Sequence, residues 1–268
     1  MLTTTLQKTK ESLDPIFQDA CSTDLVIPVM GPPGVGKSTF INSLCGRDVV
    51  EVGYGLKTCT QRLKAVTLKA TKGPFKNHCL VIVDTPPFNS TATSDLEILR
   101  CVADCLASFY RFSHRKHMKL AGMIYLYEIS QEHMTLGNCQ DRELFQKICG
   151  NEALVMVVVG ATKWEQLDGQ AAQKCIDRLK GIFWDDLSRE EPQICRVRNT
   201  HDGAWDIVNR LAQGKKSRTT LQIQRELVDQ NKLIRDTEAG RYVKIWGRNS
   251  NRASLAQHIL IFFGAKSV

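Results

Sequence analysis

The sequence predicts an α/β protein built on a doubly wound, mainly parallel sheet, followed by a C-terminal helical extension. Three observations predict it. Short, strongly apolar runs alternate with longer stretches of helical periodicity, the pattern of parallel strands covered on both faces by their connecting helices. A glycine-rich turn, Gly31-Pro32-Pro33-Gly34-Val35-Gly36-Lys37-Ser38, joins the first apolar run directly to the first helical stretch. A polar joint, Gly214-Lys215-Lys216-Ser217, divides the alternating part from a further helical pattern. The chain therefore divides into an N-terminal segment (1–22), one α/β domain (23–214) and a basic helical extension (215–268).

Leu25 to Met30 (LVIPVM) reads as the first strand, apolar throughout because both its faces are covered, and a helix follows from Ser38 to Cys45. Arg62 to Ala70 alternates as a second strand and turns at Lys72-Gly73-Pro74 into the third, His78 to Asp84. Asp95 to Arg111 is helical, with Leu96, Leu99, Val102 and Ala103 on one face. Leu120 to Ile129 is a fourth strand, Asp141 to Cys149 a helix, and Ala153 to Ala161 a fifth, very apolar strand. A helix at Gln170 to Gly181, a strand at Gln193 to Val197 and a helix at Ala204 to Ala212 complete the domain. Past the joint, Leu221 to Thr237 reads as one long helix ended by Gly240.

With 268 residues, 43% of them hydrophobic, the chain can bury a large core without disulfide or metal staples. No apolar run reaches the length of a membrane span, and the polar N-terminus lacks the apolar stretch of a secretory signal. The ten cysteines are scattered singly, with no CxxC or zinc spacing, which predicts reduced thiols and a cytoplasmic protein. Cys101 and Cys105, one helical turn apart, read as core. The net charge of +8 is concentrated in the extension, where Gly214 to Val268 holds eleven Lys and Arg against four acids. The basic tail reads as a solvated helix face or as the place where an anionic partner would be met, and Ser254 to Phe263 (SLAQHILIFF) would either lie in an anionic membrane surface or pack on the protein. The basic cluster His114-Arg115-Lys116-His117 has no interleaved aromatics and reads as a solvated loop, so no nucleic-acid partner is expected.

The turn at 31–38 carries the pattern G-x-x-x-x-G-K-[ST], a P-loop, and stands where that motif must, after a buried strand and before a helix. Its glycines let backbone N–H groups turn inward around phosphates, and the helix N-terminus adds its positive end. Gly31, Pro32, Pro33, Gly34, Val35, Gly36, Lys37, Ser38 and Thr39 therefore form the expected phosphate cradle. Lys37 is placed on the β- and γ-phosphates and Ser38 on Mg²⁺. The third strand ends in Asp84-Thr85-Pro86-Pro87-Phe88, and Asp84 is the expected carboxylate for that Mg²⁺. The fifth strand runs into Thr162-Lys163-Trp164-Glu165, close to the [N/T]-K-x-D with which G proteins read guanine, Glu165 supplying the carboxylate for the base. These elements make the expected fold a P-loop NTPase of the G-domain kind.

Taken together, VMGPPGVGKSTFIN, VGYGLKTCTQ, VDTPPFNSTATSD, LAGMIYLYEIS, the strand before TKW and LQIQRELVDQNKLIRDTEAG resemble the septin-like branch of G proteins. That branch includes septins, immunity-associated GTPases and chloroplast-import receptor GTPases. The chain is most similar to fungal G domain-containing proteins, with order and spacing agreeing from Leu25 to Gly240. The resemblance implies binding of GTP and GDP with Mg²⁺, and a homodimer across the nucleotide face. It also makes Thr60, in preference to Thr58, the switch I residue over Mg²⁺ and the γ-phosphate, so that Lys37 and Thr60 serve the hydrolysis itself.

Two positions depart from the pattern. Pro87 stands where the branch has the glycine of D-T-P-G, whose N–H senses the γ-phosphate, and proline has no N–H. Glu165 is one methylene longer than the usual aspartate. No glutamine takes the water-positioning role and no arginine finger is assignable, which predicts slow hydrolysis. A nucleotide-holding pseudo-GTPase is the alternative that Pro87 favours. An ATPase or small-molecule kinase is the alternative if Glu165 does not meet the base.

Overall fold

The apolar runs of the sequence become the strands of one sheet: β1 (Leu25–Met30), β2 (Lys64–Lys69), β3 (Cys79–Asp84), β4 (Lys119–Leu120), β5 (Met123–Glu128), β6 (Val157–Thr162) and β7 (Gln193–Arg196). The structure is a computed structural model, and it describes residues 24–50, 52, 63–89, 93–116, 119–130, 136–183, 193–213 and 219–246. The strand order is β2-β3-β1-β5-β6-β7, with the short β4 beside β1. Only the β2–β3 pairing is antiparallel among the described residues, so the sheet is mainly parallel as expected.

Helices α1 (Lys37–Cys45), α2 (Asp95–Lys116), α3 (Leu136–Cys149), α4 (Gly169–Phe183) and α5 (His201–Leu211) cover both faces. The alternation of side chains along a strand sorts the core into two layers. Ile124, Leu126 and Val158 face Phe40, Ile41 and Leu44 of α1 and Ala204, Ile207 and Val208 of α5. Tyr125, Tyr127, Val157 and Val159 face Leu99 and Leu106 of α2, Leu144, Phe145 and Ile148 of α3, and Ile176 of α4. Cys105 packs with Val26, Val81 and Phe109, as its core reading required.

Local chemistry explains where elements start. Ser94 and Glu97 form a reciprocal cap on α2, the Ser94 hydroxyl accepting from Glu97 N at 3.3 Å while Glu97 Oε2 accepts from Ser94 N at 3.4 Å. The Thr200 hydroxyl accepts from Gly203 N at 3.1 Å, which starts α5 at His201 rather than Ala204. The single strand expected over 120–129 is instead β4 and β5. They are parted at Gly122, where φ is 150° and a side chain would press on the Met156 carbonyl and Leu211. Asn151–Met156 is a 3₁₀ helix, so β6 begins later than expected, and α3 begins at Leu136, before the expected Asp141.

The helix expected over 221–237 is broken. Gln222–Gln224 is a short α turn, Arg225–Asp229 a π turn and Ile234–Asp236 a 3₁₀ turn, and a new helix occupies 238–246. The break follows from Asn231 at φ 50° and from Glu226. The buried Glu226 carboxylate accepts from Lys232 Nζ at 2.9 Å and from Glu238 N at 3.1 Å, and so starts the next helix. Gly240 lies inside that helix. A Cβ there would collide with the Ile234 carbonyl, so the glycine serves close approach and not a C-cap. Leu221, Ile223, Leu227, Ala239, Val243 and Trp246 join the core against α2 and α3. Gln224 Nε2 donates to Leu106 O at 2.9 Å, and the Tyr242 hydroxyl donates to Glu143 at 2.6 Å.

Candidate functional site

Parallel register brings the expected site residues to one end of the sheet. Val29 of β1 stands beside Asp84 of β3, so the loop leaving β1 and the carboxylate ending β3 emerge side by side. The loop turns through left-handed glycines, Gly34 at φ 73° and Gly36 at φ 98°. A side chain on Gly31 would strike the Leu126 carbonyl of β5, so only glycine lets the loop lie this close to the sheet. Val35 is buried in the core and anchors the loop from below, while Pro33 and Gly34 are exposed at its crest. Gly36 caps α1 without a side-chain hydrogen bond, leaving the first-turn N–H groups directed to the loop's interior.

Lys37 extends under this loop, its ammonium donating to Gly31 O at 2.7 Å and Pro32 O at 2.9 Å. An ammonium has three donors, and two are spent on the loop. The Ser38 hydroxyl donates to Asp84 Oδ2 at 3.2 Å, and Asp84 is fully buried. A hydroxyl and a carboxylate in contact at a helix N-terminus are hard oxygen donors, the set that suits Mg²⁺ shared with phosphate. The donors present therefore fit that ion. Thr39 lies half-buried in the first turn of α1. Thr60 and Thr58 lie outside the described residues, as do 247–268, including the apolar segment Ser254 to Phe263.

Thr85, Pro86, Pro87 and Phe88 are all buried, and the Thr85 hydroxyl donates to Val29 O at 2.9 Å. Asn89 adopts φ 61° and donates its N–H to Asp95 Oδ1 at 2.7 Å. The turn after Asp84 thus has two consecutive prolines, then Phe88, and at Asn89 an N–H already given to a carboxylate.

At the end of β6, Thr162 is buried and Lys163 takes a left-handed conformation, φ 60°. Lys163 Nζ meets Glu128 Oε2 at 2.7 Å, the residue paired with Thr162 across β5 and β6. The Trp164 indole donates to Ala161 O at 2.8 Å, and the Arg196 guanidinium lies over its ring at 5.3 Å. Glu165 sits exposed in the following 3₁₀ turn. Left-handed strain on a non-glycine residue costs energy and marks a turn held by its surroundings.

Two residues that the sequence did not single out belong to this region. Glu128 ends β5 within the LAGMIYLYEIS run, and only strand pairing shows that it partners Lys163. Asp141, on α3, is 1% exposed, and its charge faces Lys37. Burial pushes the Asp141 carboxyl up to about 7 against the pull of Lys37, with Asp95 adding repulsion and the Tyr125 hydroxyl beside it opposing. Burial brings Lys37 down to about 8, with Asp141 and Asp84 opposing.

A family model described as 50S ribosome-binding GTPase matches residues 26–182, more than half of the chain. No curated protein matches. Among solved structures, Toc33 from Arabidopsis thaliana in complex with GDP and Mg²⁺ is 16% identical and superimposes with a TM-score of 0.56 over 81% of this chain and 93% of that one. A structure described by the statement that dimerization is important for the GTPase activity of chloroplast translocon components has a TM-score of 0.57 at 15% identity, over 80% of this chain and 94% of its own. At such identities the likeness is one of fold.

Proposed function

Because the chain belongs to the 50S ribosome-binding GTPase family, we propose that it binds GTP and GDP with Mg²⁺ at residues 31–38 and hydrolyses GTP slowly. The observation that carries this reading is the pair of contacts at the head of α1: Lys37 on the Gly31 and Pro32 carbonyls, and Ser38 on Asp84. Lys37 and the loop's N–H groups bind phosphate oxygens, Ser38 and Asp84 hold the ion, and Thr162, Lys163 and Glu165 frame the base. Bound Mg²⁺ neutralises charge that develops on the phosphates. Thr60 is assigned to switch I on the resemblance, which also supports the finer placement in the septin-like branch beside fungal G domain-containing proteins.

The protein is read as cytoplasmic, with a G domain over 23–214 and a basic extension over 215–268. Its partners are a second copy across the nucleotide face and, through the tail, an anionic membrane surface. Titration with labelled GTP, GDP and ATP tests the core of this reading. GTP and GDP should bind, ATP should bind much more weakly, Glu165→Ala should narrow that gap, and Lys37→Ala should lose triphosphate binding. Ser38→Ala should weaken it chiefly when Mg²⁺ is present. Equal affinity for ATP and GTP would turn the reading to a general NTPase. The buried Pro86-Pro87 pair favours a second reading, a pseudo-GTPase, which a single-turnover assay showing bound GTP intact would select.

A further inference from the structure

One strand backs both halves of the proposed nucleotide site. A side chain on Gly31 of the phosphate loop would strike the Leu126 carbonyl of β5, and two residues later the same strand ends at Glu128, paired with Thr162 of β6. The chain leaving β6 is tied back to β5 there. Ile129 N donates to Thr162 O at 3.2 Å, the Thr162 hydroxyl donates to Tyr127 O at 3.3 Å, and Lys163 Nζ donates to Glu128 Oε2 at 2.7 Å. The last of these is the shortest and joins two opposite charges. The other carboxylate oxygen, Glu128 Oε1, accepts from the Ser130 hydroxyl at 2.6 Å, so Glu128 is itself held in place. The side chains of Lys163 and Glu128 are 33% and 14% exposed, which spares the pair part of the screening that makes a fully solvated ion pair nearly worthless. Lys163 has φ 60°, a conformation that costs energy in any residue with a side chain. The ion pair thus acts at the residue that bends the chain. The 3₁₀ turn Trp164–Gln166 starts from Lys163, whose carbonyl accepts from Gln166 N at 3.3 Å, and the exposed Glu165 stands in its middle. How Lys163 lies therefore sets the direction in which Glu165 leaves the body.

We infer that Glu128 is a positioning residue for base selection: its carboxylate holds Lys163 in the left-handed conformation and so fixes where Glu165 meets the base. The inference rests on the reading of Thr162, Lys163 and Glu165 as the turn that frames the base. Glu128 acts through Lys163 and not on the nucleotide itself. A hydrogen-bonding carboxylate discriminates only while its support keeps it in register with its donors, so loss of the charge at 128 loosens the choice of base and leaves the phosphate contacts alone.

The test titrates GTP, GDP and ADP, with Mg²⁺ present, on the parental protein, on Glu128→Gln, on Lys163→Gln and on the double variant. In Glu128→Gln the preference for GDP over ADP should fall about tenfold, the worth of a misplaced charge-assisted contact to the base, while the ratio of GTP to GDP affinity stays within about twofold of the parent. Lys163→Gln should lose at least as much preference, and the double variant should lose no more than Lys163→Gln alone, because the two side chains work as one unit. Glu128→Asp, which keeps the charge, should retain the preference within about threefold. The inference is overturned if Glu128→Gln keeps the parental preference, if its GTP to GDP ratio changes as much as its GDP to ADP ratio, or if the losses of the single variants multiply in the double. Should Glu128→Gln not fold, a folded Lys163→Gln protein with the parental preference overturns it as well. A parental protein that binds GDP and ADP equally removes the base-turn reading, and the inference with it, which is distinguishable from a selective parent whose Glu128→Gln variant is equally selective.

Discussion

Asp141 has a consequence for stability that single-residue chemistry fixes. Its carboxyl ionises near 3.8 in an unfolded chain and at about 7 in the fold, so the folded state holds the proton to higher pH. Stability from this group is full at acid pH and is lost as pH rises toward neutrality. Lys37 stays protonated in both states across that window, so it does not oppose the trend. Urea unfolding without nucleotide should therefore show stability falling between those pH values, and Asp141→Asn should flatten that slope. Pro87 gives a second expectation at this scale. With prolines at 86 and 87 and the Asn89 N–H given to Asp95, Phe88 is the first residue after Thr85 with an N–H not bound to that carboxylate. Pro87→Gly should therefore raise the ratio of GTP to GDP affinity by about tenfold, the worth of one hydrogen bond to a charged phosphate. An unchanged ratio would assign γ-phosphate sensing to Phe88. The turn over 31–38 between a strand and a helix, with Asp84 at the end of a neighbouring strand, was legible in the sequence because that spacing is local. Asp141 was not, since in sequence it reads as the polar first residue of a helix and only the packing of α3 on β5 buries it.

At the scale of elements, legibility followed burial on two faces. β1, β3 and β6 stand out because both their sides meet helices, so almost every position is apolar. The region after 219 misled for the opposite reason: its apolar residues come in two groups, around Leu221 to Leu227 and around Ala239 to Trp246, which a single helical period blends together. What separates them is a side chain, Glu226, whose hold on Glu238 N no periodicity reveals. Gly240→Ala should cost about 1–3 kcal/mol, because the added methyl meets the backbone of Ile234 and cannot be absorbed by a rotamer change. Chemical denaturation would measure it, and a neutral outcome would mean that the 234–236 turn shifts freely. Glu226→Gln should also destabilise, since it takes the negative charge from the 2.9 Å partner of Lys232 in a half-buried setting.

For the whole molecule, the sheet and both of its layers follow from alternation of strand and helix, and doubly wound topology was legible for that reason. The association state and the membrane contact belong to this scale and are tested together. If the basic tail meets anionic membranes, binding to phosphatidylserine vesicles should weaken with salt and disappear in a chain ending at residue 246. Binding that survives the deletion would shift the contact to the folded body. The same shortened chain should keep the parental melting temperature, whereas one ending at residue 213 should melt far lower or aggregate, since it uncovers the apolar flanks of α2 and α3. That covering layer is added late in the order of synthesis. Until residue 246 has been made, the nascent polypeptide carries an unfinished interior, so its assembly must wait on translation of its whole described length. Each newly made copy therefore carries exposed apolar surface on α2 and α3 until that layer is in place, and a chain cut short before it should aggregate when expressed alone.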